Sequence, residues 1–257
     1  MLTLNNIHKT YNKGTINETV LFTDFNLTIA EGQFISVVGS NGSGKSSLLN
    51  IICGSIGIDS GSILLRDKDI THLKEHKRAE FIGRVFQDPS KGTCPNMTIL
   101  ENMSLADNKG KSFGLTRGVN KKRIDYYRTL LEQLKLGLED KLNVEVGALS
   151  GGQRQALALL TSTMTPIDLL ILDEHTAALD PKTSENIMEL TDQIVKSKGI
   201  TTLMVTHNLK FAVEYGNRIL MMHDGNIVID ATDAEKKEIG INNLLSVFNE
   251  ISIECGN

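Results

Sequence analysis

Tryptophan is absent, and aromatic residues make up only 5% of the 257-residue chain. Few flat rings are therefore available as a stacking platform for single-stranded bases. A positive surplus is missing as well. Twenty-seven Lys and Arg stand against 31 Asp and Glu, a net charge of −4, which removes the electrostatic footprint of a dedicated nucleic-acid binder. Cysteine is scarce: Cys53, Cys94 and Cys255 are odd in number and form no CxxC. They read as free thiols in a reducing compartment, neither a disulfide framework nor a zinc site. No basic stretch followed by an apolar one opens the chain, so nothing there marks it for secretion. No apolar run approaches the roughly 18 residues of a spanning helix. A soluble, cytoplasmic protein is expected.

What remains is ordinary globular composition, 40% hydrophobic and 23% charged, in a chain long enough to bury a core without staples. Short β runs fill the first forty residues: Met1–Ile7, Thr19–Phe22, Phe25–Ile29 and Gln33–Val38, separated by turn formers. Ser46 to Cys53 then reads as helix. Strand signals recur at Ser62–Leu65, Ile82–Phe86, Asp168–Asp173, Ile200–Thr206, Arg218–Met222 and Asn226–Asp230. Helical stretches are expected at Ile99–Leu105, Ile124–Leu136, Gly152–Met164, Lys182–Lys198 and from about Ala234. Strands alternating with helices imply an α/β fold with a parallel sheet covered on both faces. The helical stretch in the middle reads as an insertion. Segment 109–123 holds six basic residues and no acidic one; a solvated loop or contact with anionic lipid headgroups both fit it.

Gly39-Ser40-Asn41-Gly42-Ser43-Gly44-Lys45-Ser46 fits G-x-x-x-x-G-K-[ST], between an apolar strand and a helix, which is the context that motif requires. Glycines let the backbone wrap phosphate oxygens with inward N–H groups. The helix N-terminus adds its positive end. Lys45 would supply a point charge to the β- and γ-phosphates, and the Ser46 hydroxyl a ligand to Mg²⁺. Leu169 to Leu172 form a buried strand ending in Asp173 and Glu174. Adjacent strand-end acids point in different directions, so Asp173 can support the Mg²⁺ shell while Glu174 polarises an attacking water. Many buried strands end in acids, and only the pairing with the phosphate loop raises this one above that. No [NT]KxD guanine-specificity motif is present, which argues against a GTPase.

Leu149-Ser150-Gly151-Gly152-Gln153 precedes a helix, offering a capping hydroxyl, free N–H groups and a helix dipole to an anion. The order Lys45, Gln87, LSGGQ, LLILDE, Ala178-Leu179-Asp180 and His207 resembles the ATP-binding cassette family over nearly the whole chain. That resemblance implies one ATPase domain spanning 1–257. Its P-loop (RecA-like) parallel-sheet core with an antiparallel β subdomain would comprise 1–86 and 150–257, with a helical subdomain at about 87–149. It implies an ATP site of Gly39 to Ser47. Tyr11 would stack on adenine, although an edge-strand tyrosine is the plainer reading. Gln87 would sense the γ-phosphate and Mg²⁺, and His207 would sit beside the γ-phosphate. Asp180 would lie in the loop that crosses between subunits. Ser150, Gly151, Gly152 and Gln153 would close over ATP held by a second copy, giving a head-to-tail homodimer with two sandwiched ATP molecules.

Partners expected on that resemblance are an integral-membrane permease and an extracytoplasmic solute-binding protein, with the subunit on the inner face of the membrane. The permease would dock on the helical subdomain, on an exposed face near Glu101 and Asn102. About fifty residues follow His207, too few for the extra C-terminal regulatory domain of some importer ATPases. Glu174 is followed by His175, where most relatives have Pro or Ala. The run DEHTAALDP resembles a subgroup tied to uptake of tryptophan- or tyrosine-type amino acids; local drift at His175 is the alternative. Two other outputs stay open: an ATPase driving a cell-wall or lipoprotein-release complex, and a nucleic-acid-linked ATPase, which the acidic balance disfavours.

Overall fold

In the computed structural model, residues 1–111 and 118–233, with 235, 236, 244 and 246, are described. Cys255, the centre of the basic 109–123 segment and most of the helix expected from Ala234 lie outside them. The chain opens with β1 (Leu2–Tyr11), β2 (Thr19–Ile29), β3 (Phe34–Gly39), α1 (Lys45–Cys53), β4 (Ser60–Leu65), β5 (Lys68–Asp69) and α2 (Glu75–Arg78). It continues through β6 (Ile82–Val85), α3 (Ile99–Asp107), α4 (Ile124–Glu132), α5 (Gly151–Thr163), β7 (Leu169–Asp173) and α6 (Pro181–Lys198). It ends with β8 (Thr201–Val205), α7 (Leu209–Glu214), β9 (Arg218–His223) and β10 (Asn226–Thr232). Contacts group the chain into two units, Met1–Ala79 with Gly199–Asn257, and Glu80–Lys198.

The first unit carries the antiparallel sheet β2–β1–β4–β5. The two short runs expected between Thr19 and Ile29 are one strand with a kink. Asp24 takes a left-handed φ of 49°, opposite a register shift in β1 where Asn6 has φ 47°. Such an irregularity resets the period-2 alternation. Phe22 and Phe25, of opposite parity, are thereby both buried, with ring centroids 4.7 Å apart. Strands β10–β9–β3–β8 of the same unit are neighbours in that order. β8 and β9 run parallel to β3, and β10 closes the edge antiparallel. Every residue of β3 is buried, as a central strand covered on both faces requires. α7 and β5 went unread in the sequence, each being too short to show a period.

The second unit pairs β6 and β7 in parallel, Val85 opposite Leu172. Gly83 of β6 lets α5 approach, since a Cβ there would lie 2.7 Å from the Ser162 carbonyl. Helical positions Ile99, Met103, Tyr127, Leu131 and Val146 share one buried cluster with Ala156, Leu157 and Leu160 of α5 and Ile187 of α6. The core built by 87–149 thus continues into the helices after 150. α4 stops at Glu132, short of the expected Leu136, because Lys135 and Gly137 turn left-handed at φ 54° and 65°. Asn102 is buried and not exposed as expected. Its side-chain amide donates to the carbonyls of Cys94 and Thr98 and accepts from the Cys94 N–H, while Glu101 closes a capping box with Thr98.

Candidate functional site

The loop after β3 is shaped by what cannot fit there. A Cβ on Gly39 would stand 2.2 Å from the Met222 carbonyl. Gly44, at φ 100°, caps α1 without a side-chain hydrogen bond, so the first N–H groups of α1 gain no acceptor from their own cap residue. Lys45 is buried, and its ammonium donates to the carbonyls of Gly39 at 2.8 Å and Ser40 at 2.7 Å. Asn41, Gly42 and Ser46 are exposed, whereas Ser43 is buried beside Lys45. Ser47 accepts a 3.1 Å hydrogen bond from the Tyr11 hydroxyl, and Lys9 lies over the Tyr11 ring, 5.3 Å from its centroid. The structure therefore brings Tyr11 to the phosphate loop. β8 runs beside β3, Val205 opposite Val37, so His207 leaves at the end where Gly39 does. His207 is exposed, while Asn208 beside it caps α7 through the Phe211 N–H.

In the second unit, Gln87 follows β6, and Asp173 and Glu174 end and follow β7, all at one end of the parallel pair. Asp173 is held by Arg84 at 2.7 Å, with both side chains largely buried. The Arg84 guanidinium also stacks on Phe86, 4.6 Å from the ring centroid. Gln155 of α5 donates to the Phe86 carbonyl at 3.0 Å, which fixes the chain just before the exposed Gln87. Sequence reading missed both residues. An arginine inside an otherwise apolar strand was the available signal for Arg84; nothing in the pattern marked Gln155.

Ser150 caps α5. Its Oγ accepts from the Gln153 N–H, and the Gln153 side chain accepts from the Ser150 N–H. Gly152 packs closely within the chain itself: a Cβ there would meet the Thr183 methyl at 2.4 Å, and one on Gly151 would meet Leu179 at 3.3 Å. Asp180 caps α6 through the Thr183 N–H at 3.1 Å; the hydrogen bonds from Thr183 hold its carboxyl below the usual range. A cavity of about 330 Å³ brings Gln87 and Pro89 together with Gly151, Arg154, Ala178 and Leu179.

A glycine-rich loop, a buried lysine and a nine-residue helix without a side-chain N-cap suit a polyphosphate. Ser46 in the first unit, and Gln87 and Asp173 in the second, each carry an oxygen donor of the kind that Mg²⁺ takes. The ABC transporter family model matches residues 22–177. This chain belongs to the ABC transporter family, as an ATPase. A tyrosine transport ATP-binding protein of Clostridioides difficile (strain R20291) is 48% identical over 96% of this chain and 98% of that protein. A phosphonates import ATP-binding protein of Lactococcus lactis subsp. lactis (strain IL1403) is 33% identical over 93% and 96%. Among solved structures, a dimeric ATP-binding cassette in a post-hydrolysis state, bound to ADP and Pi, is 31% identical. It superposes with a TM-score of 0.76 over 90% of this chain and 98% of that one. Among the described residues of this ABC ATPase no helix is long and apolar enough to cross a membrane, and none of the His, Cys, Asp and Glu side chains cluster as a metal site.

Arg84 is the partner that makes a largely buried Asp173 tolerable. Removing one member of such a pair costs roughly 3 kcal/mol or more, because the other charge is left uncompensated. Arg84→Met is therefore expected to lower unfolding free energy by about that amount, and Arg84→Met with Asp173→Asn to recover most of it. Denaturant titration of both variants checks the coupling; additive losses would contradict it.

Proposed function

We propose that this chain is the ATP-hydrolysing subunit of a membrane importer for a small solute of the tyrosine or tryptophan type. The observation that carries the ATPase chemistry is the polar ending of buried parallel strands: β3 gives way to the phosphate loop, and β7 ends in Asp173 followed by Glu174. The 48% identity to a tyrosine transport ATP-binding protein over almost the full length of both chains supports the solute class. One domain spanning 1–257 is divided by role, with 1–86 and 150–257 binding nucleotide and about 87–149 coupling to the partner. Gly39 to Ser47 cradle the phosphates, and Tyr11 leaves Ser47 to stack on adenine. Ser46, Gln87 and Asp173 hold Mg²⁺, which supplies charge neutralisation on the phosphate oxygens when bound. Glu174 takes a proton from the attacking water, and His207 contacts the γ-phosphate. Two copies meet head to tail, with Ser150 to Gln153 of each, beside Asp180, completing the ATP site of the other. The dimeric cassette bound to ADP and Pi supports that assembly.

The expected partners are an integral-membrane permease, which holds the subunit at the inner membrane face, and an extracytoplasmic solute-binding protein. The permease docks on the helical part, where Leu105 of α3 and Tyr126 of α4 are exposed, 49% and 41%, unlike the buried Asn102. Replacing Leu105 and Tyr126 together by aspartate is expected to leave the ATPase of the free subunit unchanged and to reduce solute uptake in cells at least tenfold. Normal uptake would move the docking surface elsewhere.

The chemical assignment is tested on Glu174→Gln. Asp173, Ser46 and Lys45 remain to hold Mg-ATP, so retention of radiolabelled ATP should stay within about twofold. Phosphate release on the same sample should fall by two orders of magnitude or more, the range lost with a positioned base. Undiminished release would take the general-base role away from Glu174.

A further inference from the structure

Glu174 stands in a backbone conformation that its residue type disfavours. Its φ is 49°, the left-handed region, in which a Cβ crowds the following carbonyl and an L residue other than Gly, Asn or Asp is rarely found. Glycine would relieve the strain but would bring no carboxylate. A strained residue of this kind persists only where its surroundings over-determine it. The residues that follow 174 supply restraints of this kind.

Those neighbours are tied to α6. The Ala177 N–H donates to the Glu174 carbonyl at 2.9 Å and closes a tight turn. The Ser184 hydroxyl donates to the Thr176 carbonyl at 3.0 Å. Between these lies His175, 2% exposed, with Nε2 3.2 Å from Oγ1 of Thr191, which is itself fully buried. The direction of that contact can be deduced. Thr191 has one hydroxyl proton and gives it to the Ile187 carbonyl at 2.7 Å. Oγ1 can then only accept from the imidazole, so Nε2 carries the proton. The imidazole N–H meets an acceptor whose own proton is already spent. The contact runs one way and fixes the tautomer.

A histidine that merely filled space would gain nothing from this arrangement. Burying its N–H costs free energy unless that one bond is made, and an apolar side chain would fill the site without the cost. The bond also sits in the residue next to the strained one, and it reaches three turns into an 18-residue helix. That helix starts immediately after Asp180.

We propose that His175 is a positioning residue for Glu174: its Nε2–H bond to Thr191 clamps the turn after β7 to α6 and holds Glu174 in its left-handed conformation. The proposal rests on the reading of Glu174 as the general base. Without the clamp the turn relaxes toward an unstrained φ and the carboxylate leaves its working position. The loss then falls on the chemical step, because the phosphate loop, in a different part of the chain, keeps its own supports. A role in packing alone would show itself in the melting midpoint and leave turnover per folded molecule intact.

Thr191→Val tests this with little change of volume, since it removes the acceptor and leaves the helix and the histidine in place. Thr191→Ser restores the acceptor and is the rescue; His175→Gln keeps an N–H donor and supplies a second approach from the other side of the bond. Purified proteins are compared for kcat, for binding of Mg-ATP measured without turnover, and for folded fraction. Expected for Thr191→Val is a kcat at least tenfold lower per folded molecule, with Mg-ATP affinity within about twofold of the parent. Thr191→Ser should recover at least half of the parental kcat. In the Glu174→Gln background Thr191→Val should have no further effect on turnover, because the group it positions is already gone. Parental kcat in Thr191→Val, or a loss that Thr191→Ser does not repair, overturns the clamp. Should Glu174→Gln itself turn over normally, the general-base reading fails and the clamp with it. If Glu174→Gln is inactive while Thr191→Val is not, the clamp alone is wrong.

Discussion

A strand buried on both faces has no polar surface of its own, so its polar groups must be delivered at its end. That constraint organises this ATPase. β3 is buried from Phe34 to Gly39 and releases the phosphate loop; β8 beside it releases His207. In the other unit β6 leads to Gln87, and β7, four residues buried, ends in Asp173 with Glu174 next. The apolar runs are therefore what place these polar side chains. Each must leave its strand through a turn tight enough to keep the group near the strand end, and this is where left-handed residues and close glycines gather, at Gly39, Gly44 and Glu174.

Such turns are held from behind by hydrogen bonds that reach into neighbouring strands and helices. Gln155 of α5 holds the Phe86 carbonyl ahead of Gln87. Arg84 holds Asp173, and Thr191 of α6 holds His175. All three supports are buried or nearly so, and each joins a strand end to a residue of another element. Their energetic importance comes less from the bonds formed than from what each would cost if left unpaired in a place with no water to replace it.

The segments proposed to carry the chemistry stand out in the sequence by their spacing. Gly39 to Ser46, the Asp173–Glu174 pair and the Ser150–Gln153 cap each show a spacing that few other demands produce. The strand-helix alternation was legible for the same reason that it folds: apolar runs of strand length, interrupted by helical periods. The kink at Asp24 was not, because a bulge leaves no mark in residue type beyond an apparent break between Phe22 and Phe25. Neither the end of α4 at Glu132 nor the burial of Asn102 could be read, since Lys135 at positive φ and an amide satisfied by the backbone of Cys94 and Thr98 depend on tertiary surroundings. Arg84, Gln155 and Thr191 share that obscurity. Their partners lie 89, 69 and 16 residues away, beyond any local pattern. His175 was visible as a departure from the usual residue, but its reason lies in α6.

The central claim is that this ATPase works as a nucleotide-sandwich dimer, in which the segment from Ser150 to Gln153 completes the partner's site. Light scattering on Glu174→Gln protein at tens of micromolar, with and without Mg-ATP, measures it directly. The account predicts a mass near 28 kDa without nucleotide, the mass of one chain, and twice that with Mg-ATP, falling back when Ser150 is also replaced by a bulky residue. A mass that stays at one chain at saturating Mg-ATP, in protein shown to have bound it, would contradict the account.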